Sequence, residues 1–460
     1  MSELPRGWFE TTLGDVATWS SGGTPSRKNK DYYNGNIPWI KTGDLGVQYL
    51  EQASEYISDE GLKNSSAKLF PKNTVAIAMY GATIGKTSIL NFEATTNQAC
   101  GVAIPNASLS TVFLYYLLRN EKEGFIARGK GGAQPNISQT IIKEYSIWLP
   151  PLNEQIRIAN KLDSILAKVD KAQARLDKIP AILKRFRQSV LAAATSGELT
   201  KEWREELGIE WSNNVFTVEQ IAKKEKYSLG IGPFGSNLKV ADYRSEGHPL
   251  VFVREIRARQ FGGADTKFVE HGKFTELAAH RVKPGNILIT KMGDPPGDVA
   301  IYPDDCAEAV ITSDCIKLDV NEELINKQFV FHYMQSEHFQ SQMRAITAGV
   351  AQQKVNLKNF KGLTLLAPTM DEQIEINRII SGLMDRADRV EKQYLDAKAR
   401  LDRLTQSILA KAFRGELVPQ DPNDEPAEKL LERILAEKEQ NQPKKATRKR
   451  ATKAKTAEKE

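Results

Sequence analysis

Apolar residues keep a strict four-three spacing in two stretches of this chain. The first runs Ile158, Leu162, Ile165, Val169, Ala172, Leu176, Ile179, Leu183, Phe186 and Val190. The second runs Ile376, Ile380, Leu383, Ala387, Val390, Tyr394, Ala397, Leu401, Leu404 and Ile408, each 218 residues after its counterpart. Ten consecutive a and d positions predict a coiled-coil seam rather than an ordinary surface helix. Each seam covers 33 residues, about 50 Å at ~1.5 Å per residue. Two such helices of equal length most simply pack on each other. Pro180 interrupts the first, where it removes a helix hydrogen bond and favours a kink or a break with a restart. The second helix has Lys398 at that place. Gly197 and Gly415 close the segments, as a helix stop requires.

Upstream of each helix the pattern shortens. Apolar runs such as TVAIAM (74–79) and NILIT (286–290) follow a Pro-x-Asn turn and predict strands. PWIKTGDL (38–45) matches PLVFVREI (249–256), and GGAQPNISQTII (131–142) matches GVAQQKVNLKNF (349–360). The chain is therefore a duplication. Laid over each other without a gap, 150–200 and 368–418 agree at 17 of 51 positions, whereas the strand matches drift to offsets of 213 and 211. The pattern predicts two pseudo-repeated α/β (α+β) modules, each followed by a long helix. The helices are held constant and the modules diverge.

Composition adds bounds. The 460 residues leave room for two or three domains, each with its own core. No apolar stretch approaches the ~18 residues of a membrane span, and MSELPRGWFE is not a signal peptide, so a cytoplasmic protein is expected. Cys100, Cys306 and Cys315 have no paired spacing, which argues against disulfides and zinc. Residues 441–460 carry eight Lys/Arg and two Glu, so the formal charge of +6 resides wholly in that tail. The body is neutral, and net charge alone argues for no nucleic-acid surface. The segment 419–460 is expected to be a charged, disordered tail.

Catalytic motifs fail one after another. GATIGKTS (81–88) has three residues where a phosphate cradle needs four, so it reads as a Gly-rich turn carrying Lys86. GDPPG (293–297) lacks the aromatic residue that base-flipping methyltransferases stack on their target, and reads as a turn between strands. His248, His271, His280, His332 and His338 form no metal or triad pattern, although His332 and His338 fall on one predicted helix. The Asp304-Asp305 pair lies in a turn. The chain reads as a binder.

Loop residues able to contact DNA are the remaining candidates. In the first module they are Arg27, Lys28, Lys30, Lys41, Tyr80, Lys86, Arg128, Lys130, Gln134 and Asn136. In the second they are Asn237, Lys239, Arg254, Arg257, Arg259, Lys291, Gln352, Gln353 and Lys354. Arg and Lys suit phosphates and guanine edges, while Asn and Gln suit adenine.

PPLNEQIRIA (150–159), ILKRFRQSVLAAATSGELTKEW (182–203) and LTQSILAKAFRGELVPQ (404–420) resemble the specificity subunits of type I restriction-modification systems, in particular their enteric IA branch. The resemblance covers about 1–418. It implies target recognition domains at 1–149 and, after a linker, within 201–367, with conserved helical regions at 150–200 and 368–418. It further implies an antiparallel coiled coil whose seam includes Leu162, Ile165, Val169, Leu176, Leu183, Ile380, Leu383, Val390, Leu401 and Leu404. Each domain would read one half of a bipartite double-stranded DNA site. Two methyltransferase subunits and two restriction subunits would be the partners, carrying S-adenosylmethionine, ATP and Mg2+. The chain itself would bind no cofactor or metal, touch no membrane and catalyse nothing. A single-chain methyltransferase or nuclease, and a coiled-coil adaptor that does not touch DNA, are the alternatives.

Overall fold

The computed structural model describes residues 5–129, 136–348 and 353–440. The chain divides into two compact units, Met1–Ala174 with Ala397–Glu460, and Arg175–Asp396. The divisions fall inside the long helices, so each unit owns part of both.

In unit 1 a five-stranded sheet runs in the order Ala17–Ser21, Cys100–Pro105, Thr74–Ala78, Thr87–Leu90, Tyr49–Leu50. A second sheet runs Glu55–Ile57, Ile37–Ile40, Ala94–Thr96, Leu69–Phe70. Unit 2 repeats this plan. One sheet orders Leu229–Ile231, Cys315–Leu318, Ile287–Thr290, Val299–Ile301; the other orders Phe268–Val269, His248–Val251, Ala309–Ile311, Arg281–Val282. The TVAIA and ILIT runs are fully buried central strands, as continuous apolar runs should be. Pairing is mostly antiparallel, which makes each unit α+β rather than doubly wound.

A two-stranded clasp closes each module just before its helix. Phe9–Thr12 pairs antiparallel with Ser146–Leu149 in unit 1, and Asn214–Thr217 with Thr364–Ala367 in unit 2. The next residues start the helices Leu152–Leu176 and Met370–Ala412.

The repeated Glu-Gln of the helix starts anchors the modules. Gln155 is buried; its Nε2 donates to the Ser108 and Pro150 carbonyls and its Oε1 accepts from the Ser110 N–H. Ser110 is the N-cap of the helix Thr111–Asn120. Gln373 repeats the arrangement, donating to Pro368 and accepting from Asn326, the N-cap of Lys327–Gln335. Buried amides bind both ends of the junction because an unmade bond there costs the desolvation of each group.

The core of unit 1 combines Ile158, Leu162 and Leu166 with Leu409, Ala412 and Phe413, and the Phe113 and Phe413 rings lie 5.3 Å apart. The core of unit 2 combines Val190, Leu191 and Ala194 with Ile376 and Ile380. In unit 2, Arg187 on the helix Ile179–Ser196 meets Asp388 and Glu391 on Met370–Ala412, and Arg204 on the following short helix Lys201–Leu207 meets Glu372 near the start of Met370–Ala412.

Four expectations need correction or refinement. The first helix stops at Leu176 and restarts at Ile179 with Pro180 in its first turn, where a missing N–H costs nothing. The residues of the predicted seam are unevenly buried. Leu162, Leu183 and Ile380 are buried, Ile165, Val169, Leu176, Leu383 and Leu401 are half-buried, and Val390 and Leu404 are 42% and 47% exposed. The four-three spacing places residues on one face of a helix but does not by itself decide what covers that face. The segment 419–460 is not wholly disordered: Ala427–Gln440 is a helix, with Ala427 and Leu431 buried in the core of unit 1. Its apolar residues at i and i+4 carried that signal. The basic stretch 441–460 lies outside the described residues. Lastly, His332 and His338 sit on separate helices, Lys327–Gln335 and Glu337–Ala345, because Ser336 ends the first and caps the second.

Candidate nucleic-acid interface

Backbone contacts gather the loops of unit 1 at one end of its sheet. Gly22 packs so tightly that a Cβ there would lie 1.8 Å from the Thr96 carbonyl oxygen. Gly23 N–H donates to the same carbonyl. The next residues, Thr24 and Gln98, are hydrogen-bonded through their side chains. Met79 N–H donates to Ala99, Ile137 N–H donates to Met79, and Tyr80 and Asn136 form an antiparallel bridge. Tyr80 and Asn136 are both exposed there. The predicted turn follows as Gly81–Thr83, with exposed Lys86 leading into the strand Thr87–Leu90. Only a single 3-10 turn forms here and a strand follows Lys86, so the α-helix N-terminus that a phosphate cradle needs is not at this turn.

A second group lies beside it. Arg27 and Lys41 both reach Glu55 at 2.6 Å, and Arg27 lies over the Tyr33 ring at 4.1 Å. The bond from Lys41, then that from Arg27, holds the Glu55 carboxyl below its ordinary range. Two cations on one carboxylate leave a net positive charge on an exposed loop. Lys28 is exposed next to it. Arg128 lies over the Tyr145 ring at 4.2 Å. Lys130 and Gln134 lie outside the described residues.

Unit 2 gathers its loops by the same bonds. A Cβ on Gly232 would lie 1.9 Å from the Thr312 carbonyl oxygen. Lys291 N–H donates to Asp314 and its Nζ donates to Ser313 at 3.3 Å. Met292 then pairs with Lys354 and Gly293 with Gln353. The Met292–Lys354 pair corresponds to Tyr80–Asn136 in unit 1, and Asn136 and Lys354 are 218 residues apart. The GDPPG turn joins the strands Met292–Gly293 and Val299–Ile301. Asn237 and Lys239 stand exposed on the loop that leaves Gly232. Gln352 lies outside the described residues.

The arginines of unit 2 are more committed. Arg254 pairs with Glu255 at 2.8 Å and Arg257 with Asp298 at 3.0 Å. Arg259 donates to the Val299 carbonyl and to Gln335 and lies over the Phe331 ring. Burial lowers the Arg259 pKa, and burial beside this cation pushes His332 down to about 4. Arg259 is thus bonded within the unit while its residue stays exposed.

Two surface features escaped the residue-by-residue reading. Gln98 escaped because only the fold places it beside Thr24. Phe234, 71% exposed in GPFGSNLK, could have been found as an aromatic residue flanked by glycines and polar residues.

Burial pushes the Cys100 and Cys315 thiols up to about 12, so neither is a thiolate near neutrality. Among the described residues no His, Cys, Asp and Glu cluster suits a metal, and no helix is long and apolar enough to cross a membrane.

The type I restriction modification DNA specificity domain matches this chain over residues 5–181 and 265–397. The chain is 30% identical to the EcoKI specificity subunit of Escherichia coli (strain K12), over 98% of this chain and 99% of that one. It is 31% identical to the Escherichia coli EcoDI specificity subunit, over 91% and 97%. Among solved structures, a chain of a type I R-M system described for its complex assembly and conformational transition aligns with TM-score 0.65 at 16% identity, covering 90% of this chain and all of that one. The HsdS subunit from Thermoanaerobacter tengcongensis aligns with TM-score 0.51 at 17% identity, covering 90% and 98%. These two show the fold. With a family domain over both repeats and relatives matched nearly end to end, the chain belongs to the type I restriction-modification DNA specificity family.

Proposed function

We propose that this chain is the DNA-reading subunit of a type I restriction-modification complex, and that each unit reads one half of a bipartite duplex site. The observation that carries this is the doubled loop surface. Tyr80–Asn136 and Met292–Lys354 are the same backbone pairing bearing different side chains. A repeated frame with unlike loops suits two half-sites of unlike sequence. In unit 1 the readers are Arg27, Lys28, Lys41, Tyr80, Lys86, Arg128 and Asn136, joined by Lys130 and Gln134. In unit 2 they are Asn237, Lys239, Lys291, Gln353 and Lys354, joined by Gln352, with Arg254, Arg257 and Arg259 as the phosphate contacts. Hydrogen bonds to base edges give specificity, and cations on phosphate give salt-dependent affinity.

The long helices form an antiparallel coiled coil that sets the spacing of the half-sites. Half-sites one turn apart lie ~34–36 Å from each other, a distance within reach of a rod of about 50 Å. The exposed apolar positions along these helices, Val390 and Leu404 among them, suit docking of two methyltransferase subunits. Methylation of adenine and ATP-driven cleavage belong to the methyltransferase and restriction subunits, which bring S-adenosylmethionine, ATP and Mg2+. The chain itself performs no reaction, and its place is the cytoplasm.

Footprinting of the full chain with its methyltransferase tests this. Two protected half-sites separated by a sequence-indifferent spacer are expected. A footprint without sequence preference contradicts it and favours an adaptor that does not touch DNA. Methyl transfer by the chain alone would favour a single-chain enzyme. Inserting a heptad into Met370–Ala412 tests the ruler, and an unchanged spacer preference contradicts it.

A further inference from the structure

Among the large apolar side chains described as exposed, Val240 and Phe234 are the two most exposed, at 79% and 71%. Phe234 is not on a frayed end. Pro233 before it is buried, Leu238 after it is buried beside Leu250 and Phe274, and the Phe234 carbonyl accepts from the Asn237 and Leu238 N–H groups. The turn is thus pinned at both sides and holds an aromatic ring out in water. Its base is Gly232, seated on the Thr312 carbonyl, two residues before the Asp314 carbonyl that receives Lys291. Phe234 therefore belongs to the loop surface of unit 2, three residues from Asn237 and five from Lys239.

Unit 1 builds the corresponding turn differently. Gly22 occupies the place of Gly232, and the residue two further on is Thr24, bonded to Gln98. The apolar residue is thus particular to one reader, as a specificity residue should be.

We propose that Phe234 recognises the methyl group of a thymine in the half-site read by unit 2. The inference rests on the DNA-reading function proposed above. Asn and Lys side chains on the same turn suit base edges in the major groove, where the thymine C5-methyl is the apolar group on offer. Seating the ring on that methyl removes apolar surface of both partners from water.

The test uses the full chain assembled with its methyltransferase. Exchanging residues 201–367 identifies the half-site of unit 2, and each thymine in it is then replaced singly by uracil, which lacks the methyl. At one position the wild-type complex is expected to lose about fourfold in Kd, the size of one buried methyl. The Phe234→Ala complex is expected to bind the thymine duplex more weakly and to lose discrimination at that position alone. Its melting temperature and its footprint on the other half-site stay unchanged. Phe234→Leu, which keeps an apolar side chain, retains part of the discrimination. Undiminished thymine-over-uracil preference in Phe234→Ala at every position overturns the proposal, as does a loss spread equally over both half-sites. A wild-type complex with no sequence preference overturns the DNA-reading function itself and this inference with it.

Discussion

In unit 1 the buried Glu154 carboxylate accepts a bond from the Trp8 indole at 3.1 Å; in unit 2 its counterpart Glu372 accepts from Arg204 at 2.5 Å and from Thr200 at 2.6 Å. Both belong to the same Glu-Gln-Ile motif, 218 residues apart, and both are 1% exposed. One copy is held by a neutral donor and the other by an ion pair. Burial accordingly raises the Glu154 pKa. The Arg157 nearby is engaged instead by Asp424 at 2.6 Å. The glutamines beside these glutamates keep their partners in both units, whereas the glutamates keep their position and change theirs. The junction of helix to module is thus the repeated device, and its electrostatics are local solutions.

This difference can be broken by mutation. Glu372→Ala strands the Arg204 cation, whose side chain is 10% exposed. A loss of about 3–5 kcal/mol is expected, as for breaking a buried ion pair. Glu154→Ala leaves only the Trp8 N–H without its partner, and about 1–3 kcal/mol is expected. Denaturant unfolding measures the sum, and hydrogen exchange assigns the loss to unit 2 or unit 1. Equal losses would erase the distinction between the two copies.

The glutamines sharpen the likeness. Gln155→Ala and Gln373→Ala each leave buried backbone groups unbonded at a helix N-cap, and each should cost about 1–3 kcal/mol. Gln155, with a bond to Ser108 in addition, should lose slightly more. Hydrogen exchange at the starts of Thr111–Asn120 and Lys327–Gln335 reads the effect in each unit separately. Protection lost in one unit alone would mean that the motif has diverged in role.

The smallest effect is expected at the break in the first helix. Pro180 is exposed in the first turn of Ile179–Ser196, so Pro180→Ala should shift stability by less than about 1 kcal/mol. The same substitution should leave the DNA spacer preference unchanged. A changed preference would make the break part of the ruler, and then Lys398 in the second helix would explain an asymmetry between the two.

Much of this organisation was legible because it is periodic. The 218-residue offset and the a/d spacing identified the helices, and the apolar runs at 74–79 and 286–290 identified the central strands. Pro180 gave the break. Periodicity says nothing about coverage, so it did not reveal that Val390 and Leu404 face water while Leu162 and Ile380 do not. It also missed the helix Ala427–Gln440, whose short apolar pattern was overshadowed by the basic run behind it. The reading surface was legible only as residue types. Sequence could nominate Tyr80 and Asn136, but long-range backbone pairing brings them together. Arg259 looked free in the sequence because its partners, Val299 and Gln335, lie 40 and 76 residues away.

Two independently diverged readers on one repeated frame should be separable. Exchange of residues 1–149 for the corresponding segment of another family member tests it most directly, with methylation-sensitive sequencing of a host genome as the readout. One half of the methylated site should take the donor's sequence while the other half stays as it was. A change in both halves, or in neither while methylation persists, would contradict it.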